Sequence, residues 1–161
     1  MKWKSSADQI LVLIVFLVIL LIPFLLTLVG AYDDIQQATV EDDIREAAFR
    51  YQFEYLGKLD NFDYYFISGS EEILARFRGH TPLVLPSSEA DINSPQGVRH
   101  RSYGGRGIWF FLNEIQWLDE NTVEIEGGYS HTSVSGSFNT YRLERKNGEW
   151  KVTKDTVHSI S

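Results

Sequence analysis

The chain contains no cysteine. That absence removes disulfides, thiol nucleophiles, iron–sulfur clusters and cysteine-based zinc sites, so a domain exposed to an oxidising compartment must rest on its apolar core alone. Catalytic signatures are missing too: there is no Gly-rich phosphate loop, GxSxG elbow, EF-hand loop or Walker sequence. The segment SYGGRG at 102–107 has the look of a phosphate cradle but precedes an expected strand. It therefore lacks the helix amino terminus that would make such a cradle physical. Histidine is scarce, and His80, His100, His131 and His158 show no HExxH or HxH spacing. No metal and no cofactor is expected from them. Positive charge is short as well: residues 31–161 carry 13 basic and 21 acidic side chains, a net charge of −8. Such a surface repels phosphate backbones, so nucleic acid is not an expected partner.

What the chain has in plenty is apolar sequence near its start. Residues 10–30, ILVLIVFLVILLIPFLLTLVG, form an uncharged run of 21 residues. At about 1.5 Å per residue a helix of that length spans the ~30 Å core of a bilayer. The sequence thus predicts a short tail at 1–9, a transmembrane anchor at 10–30 with the lipid bilayer as partner, a polar tether at 31–38, and a domain at 39–161. Lys2 and Lys4 precede the run while Asp33, Asp34, Glu41, Asp42 and Asp43 follow it. This asymmetry predicts a single-pass protein with a cytoplasmic amino terminus and an extracytoplasmic domain. Trp3 and Tyr32 bracket the run as interfacial aromatics, and Pro23 within it is tolerated in a membrane. The competing reading is a cleaved signal peptide with a site near Val29-Gly30-Ala31, but the run exceeds the ~7–15 residues of a secretory core.

Further along, residues 39–56 read as a helix with Thr39 as N-cap and Gly57 as terminator. Ile44, Ala47, Ala48, Tyr51 and Tyr55 share one face, which Phe49, Phe53 and Leu56 widen. Residues 62–67 suit a buried strand, Ser70 caps a short helix at 71–78, and 83–85 suit a brief strand. Residues 86–107 read as the least ordered part. Four consecutive antiparallel strands follow at 108–118, 122–134, 138–145 and 150–160. Asn147-Gly148 is the dipeptide preferred in a type I′ hairpin turn, and Gly127-Gly128 marks a bulge or bend that curls the sheet.

This order of elements, the central Gly127-Gly128 bend and the closing pattern TYRL…NGEWKV at 140–152 resemble the NTF2-like, cystatin-like superfamily. The resemblance implies an α+β domain in which a curved antiparallel sheet, four meander strands plus a short early one, wraps one long helix into a cone. That fold hosts isomerases, hydratases, transport adaptors and secretion-machine subunits, so it does not decide function. The layout of tail, span and outer cone is also similar to VirB8-type subunits of envelope-spanning secretion machines.

Candidate ligand-binding residues are Tyr64, Arg99, Arg101, Tyr129, His131 and Asp155. His131 follows the Gly127-Gly128 bend, where a cone would open, and with Glu126 or Asp155 it forms a possible acid–base pair. A surface histidine without chemistry is the bland alternative. Tyr64, Tyr65, Tyr103, Trp109, Tyr129 and Tyr141 either line an aromatic pocket or simply pack as core. Arg99, Arg101 and Arg106 make a basic patch suited to an anion, or else a solvated loop. With no convincing catalytic set, the expected role is a membrane-anchored binding or assembly module that is not an enzyme, with a protein partner or a second copy of itself. The alternative is a small-ligand-binding protein or enzyme using the interior of the cone.

Overall fold

The computed structural model describes residues 6–56, 62–132 and 135–160, with the side chains of 6–15, 17, 18, 24, 28, 30 and 33 outside the described set. The chain divides into two units, Met1–Val40 and Glu41–Ser161. A single helix, α1 (Ser6–Leu56), supplies most of the first and opens the second. Thr39 is therefore not an N-cap: its hydroxyl donates to the Ile35 carbonyl one turn back (2.9 Å), inside a continuous helix. The residues read as a tether are helical too, and Gly57 lies outside the described residues.

The anchor needs correction. About half of the side chains of 10–30 lie outside the described set, and among the described residues no helix is long and apolar enough to cross a membrane. Single-pass topology, and the placement of the domain outside the cytoplasm that followed from it, are accordingly not supported. Within the first unit, the described apolar side chains Phe16, Leu20, Leu26 and Val29 stand exposed.

The sheet also departs from the expected all-antiparallel meander. Strands β1 (Tyr64–Ile67), β2 (Leu83–Pro86), β5 (Gly107–Asp119), β6 (Thr122–Thr132), β7 (Ser135–Lys146) and β8 (Glu149–Ile160) form one six-stranded mixed sheet. Its order is β2-β1-β5-β6-β7-β8, and β1 runs parallel to both neighbours. The reason lies in α2 (Glu71–Ala75), capped by Ser70 Oγ accepting from the Ile73 amide (3.2 Å). A helix between two strands returns the chain to its starting end, so β2 joins β1 in parallel. From β5 onward the pairing is antiparallel, closed at Asn147-Gly148 with φ of 56° and 84°, as a type I′ turn requires.

The core forms where α1 meets the sheet. Ile44, Ala48, Phe49 and Phe53 recur at helical spacing and are buried, as are Tyr65, Ile108, Phe110, Ile125 and Leu143 on the strands. Phe53 packs edge-on to Phe110 at 4.8 Å and Phe77 at 5.3 Å. Arg76 ties α2 back to α1 through Asp43 and Glu46.

The other face of β1 and β5 is covered by residues 86–107, read from sequence as the least ordered. They hold a 3₁₀ turn (Ser87–Glu89) and a two-stranded sheet of β3 (Ala90–Asp91) and β4 (Arg99–His100). Ala90 and Val98 bury against Phe66, flanked by Tyr64, Leu85 and Trp109. Apolar contact and backbone bonds such as Val98 N to His131 O (2.8 Å) hold the segment in place.

Gly127 and Gly128 lie where neighbouring strands approach closely. A Cβ on Gly127 would strike the Phe111 carbonyl and one on Gly128 the Ser137 carbonyl. The bulge itself sits on the facing strand, at Asn113-Glu114 between the pairs Leu112–Gly127 and Ile115–Ile125. Gly128→Ala is expected to lower stability by about 1–3 kcal/mol through this backbone clash. Chemical denaturation reads the change, and an unaltered midpoint would mean that the strands part freely there.

Candidate functional site

Three strands present one row of residues each toward α1. On β6 the row includes Ile125, Gly127 and Tyr129; on β7 it is Tyr141, Asn139 and Ser137, each directly opposite. On β8, simple alternation from Trp150 and Val152 would bring Lys154 and Thr156 inward. It does not, because pairing skips Thr153, with Arg142 opposite Lys154 but Leu143 opposite Val152. One extra residue reverses the facing of everything after it. Asp155 thus pairs with Tyr141 and Val157 with Asn139. A second skip, at His158, brings Ile160 rather than Ser159 opposite Ser137.

Together with the end of α1, these rows enclose a cavity of about 40 Å³ lined by Tyr51, Gln52, Tyr55, Tyr129, Asn139 and Asp155 among others. Its polar groups are connected. Gln52 Nε2 donates to Tyr141 Oη (3.1 Å) and to the Gly128 carbonyl (3.4 Å). The Tyr51 hydroxyl donates to Asp155 Oδ2 (3.3 Å) and Asn139 Nδ2 to Asp155 Oδ1 (2.5 Å). Ser137 Oγ in turn donates to Asn139 Oδ1. One atom is left over: Gln52 Oε1 is buried without a hydrogen-bond partner, on a side chain only 2% exposed. At the mouth, Tyr55, Val157 and Ile160 are exposed and apolar.

Burial pushes the Tyr141 hydroxyl well above the ordinary tyrosine range; the Gln52 hydrogen bond opposes this and the Asp155 charge adds to it. Tyr51 is raised by burial and then by Asp155, and Tyr129 by burial and then by Tyr55. Tyr51, Tyr129 and Tyr141 are therefore held in their protonated form.

The expected site residues separate into two groups. Tyr129 and Asp155 meet in the cavity. His131 stacks beside Tyr129 at 6.4 Å and meets Phe62 edge-on at 6.2 Å, outside the cavity lining. Tyr64, Arg99 and Arg101 belong to the opposite side of the sheet. Tyr64 packs on His100 at 5.0 Å, Arg99 donates to the Gly104 carbonyl (2.6 Å) and Arg101 to that of Ser88 (2.9 Å). These arginines anchor their own loop. His100, also there, donates from Nε2 to Glu89 (3.0 Å) and accepts the Ser102 amide at Nδ1 (3.0 Å). Of the suggested aromatic pocket, Tyr129 and Tyr141 line the cavity, whereas Tyr65 is core and Tyr103 is exposed.

Gln52 and Asn139 escaped the sequence reading. Both interrupt apolar stripes: Gln52 follows Ala48 by one helical turn, and Asn139 shares a strand face with Tyr141 and Leu143. That interruption is the available signal. A wider depression of about 890 Å³ lies between Arg45 and strands β5–β7. It is open to solvent, and Arg45 is engaged by the Asn113 carbonyl (3.2 Å), so the smaller cavity is the better candidate.

Comparisons of the chain with protein-family models, curated proteins and solved structures found no match.

Because folding raises the Tyr141 pKa, its stabilising effect is complete at neutral pH and is lost as pH climbs past the ordinary tyrosine value of about 10. Thermal melts from roughly pH 9 to 11 should show a shallower decline in Tyr141→Phe than in the parent. Equal slopes would place that titration elsewhere.

Proposed function

We propose that residues 41–161 act as a non-catalytic binding module, and that the cleft between the end of α1 and strands β6–β8 receives the polar end of a small ligand. The observation that carries this reading is Gln52, a residue of the cavity lining whose Oε1 is buried without a hydrogen-bond partner. Leaving such an atom unsatisfied costs about 1–3 kcal/mol, a burden that a ligand donor would relieve. The surroundings support the same reading. A polar floor of Gln52, Asn139 and Asp155 gives way to an apolar rim of Tyr55, Val157 and Ile160, the complement of an amphiphile.

Size narrows the ligand. Sites that engulf a drug-sized molecule run to roughly 300–1,000 Å³. A space of about 40 Å³ admits a headgroup and leaves the remainder of the molecule on the rim. Chemistry speaks against catalysis. The Tyr51 and Tyr141 phenols are held in their protonated form, which opposes their use as bases or nucleophiles, and His131 is packed outside the cavity.

In an NMR titration of the full chain with short-chain amines, alcohols and carboxylates, perturbations should gather at Gln52, Gly128, Asn139 and Asp155. Val157→Arg alters a half-exposed residue at the mouth. It should change stability by no more than about 0.5 kcal/mol yet abolish those perturbations. Shifts scattered over the surface, or none, would overturn the reading.

A further inference from the structure

We infer that the headgroup accepted by this cleft is a primary ammonium carried on an alkyl chain. The inference rests on the binding role proposed above and adds the chemical class of ligand. It follows from an inventory of what the cavity offers. The Asp155 carboxylate faces it, and no Lys, Arg or His is among the described lining residues. Each Asp155 oxygen accepts one described donor, from Tyr51 and Asn139, which leaves lone pairs on both. Gln52, also in the lining, has its Oε1 buried without a hydrogen-bond partner. Among the described lining residues, the groups on offer are therefore acceptors, and no cation faces the Asp155 carboxylate.

An alkylammonium brings three N–H donors and one positive charge. A hydroxyl brings one donor and no charge, and a carboxylate brings a charge of the wrong sign. The tyrosines point the same way. Tyr51, Tyr55, Tyr129 and Tyr141 all line the cavity, and electron-rich aromatic rings favour a neighbouring cation by about 0.5–2 kcal/mol. Volume fits as well: about 40 Å³ holds roughly three water-sized groups, enough for the ammonium and its first methylenes. The remaining chain would lie along Leu56, Val157 and Ile160. At longer range, the acidic balance of residues 31–161 draws cations toward the domain.

The test titrates the full ¹⁵N-labelled chain with pentylammonium chloride, 1-pentanol and sodium pentanoate. Pentylammonium should shift the Gln52 side-chain amide saturably, at least about fivefold more tightly than pentanol, while pentanoate leaves it unmoved. Asp155→Asn keeps the shape of the residue and removes its charge, and should weaken pentylammonium about fivefold or more. Tyr55 is exposed, so its substitution does not threaten the fold. Tyr55→Leu should weaken pentylammonium while Tyr55→Phe preserves it. Pentanol binding as tightly as pentylammonium, or affinity indifferent to Asp155→Asn and to Tyr55→Leu, would overturn the ammonium assignment and leave the cleft as a binding site. Failure of all three compounds to move Gln52 would overturn both.

Discussion

Phe53 is the side chain on which the domain turns. The rings of Phe49, Tyr65, Phe77, His80 and Phe110 all lie within 6.3 Å of its own, drawn from α1, β1, the segment after α2, and β5. A ring contacted from so many directions has little freedom to rotate or slide, since interiors packed to crystal-like density admit few alternative arrangements. Its position sets the roll of α1 over the sheet. That roll in turn aims Gln52, the preceding residue, at Gly128 and Tyr141. Apolar packing thus fixes where the polar groups of the cleft stand.

The second determinant is register. The skips at Asn113-Glu114, Thr153 and His158 break a two-residue alternation and restart it on the opposite phase. At Thr153 the consequence is direct, because Asp155 rather than Lys154 then faces α1. The fold accommodates Asp155 by giving its oxygens donors from Tyr51 on α1 and Asn139 on β7. Hydrogen bonds from neighbouring donors offset part of the cost of taking a carboxylate out of water. Gln52 is treated less generously, with its amide nitrogen engaged and its oxygen not. A lapse of that kind in an otherwise satisfied network fits a site in which stability is given up for binding.

Much of the architecture was legible in the residues. Alternation in 141–152, the Asn147-Gly148 turn and the Ser70 cap rest on short-range chemistry and reappear in the structure. The all-antiparallel sheet did not survive, because β1 and β2 pair across a helix and nothing local in four-residue strands reveals their direction. The loop at 86–107 misled for a related reason. Its composition is that of a flexible segment, whereas its order comes from burial of Ala90 and Val98 on Phe66 across the sheet. The arginines there suit an anion by composition, whereas Arg99 and Arg101 donate to the carbonyls of Gly104 and Ser88.

By itself, the sequence determined which segments alternate, where hairpins turn, the acidic balance and the exclusion of thiol and cysteine–metal chemistry, since each depends on residue identity or on neighbours a few positions apart. Tertiary structure alone decided that Tyr129, Asp155, Gln52 and Asn139 converge while Tyr64, Arg99 and Arg101 lie beyond the sheet. Facing in a strand has a period of two, and a single unpaired residue inverts it. A bulge is defined by the partner strand, so no inspection of one strand's own residues can reveal which side chains it turns inward.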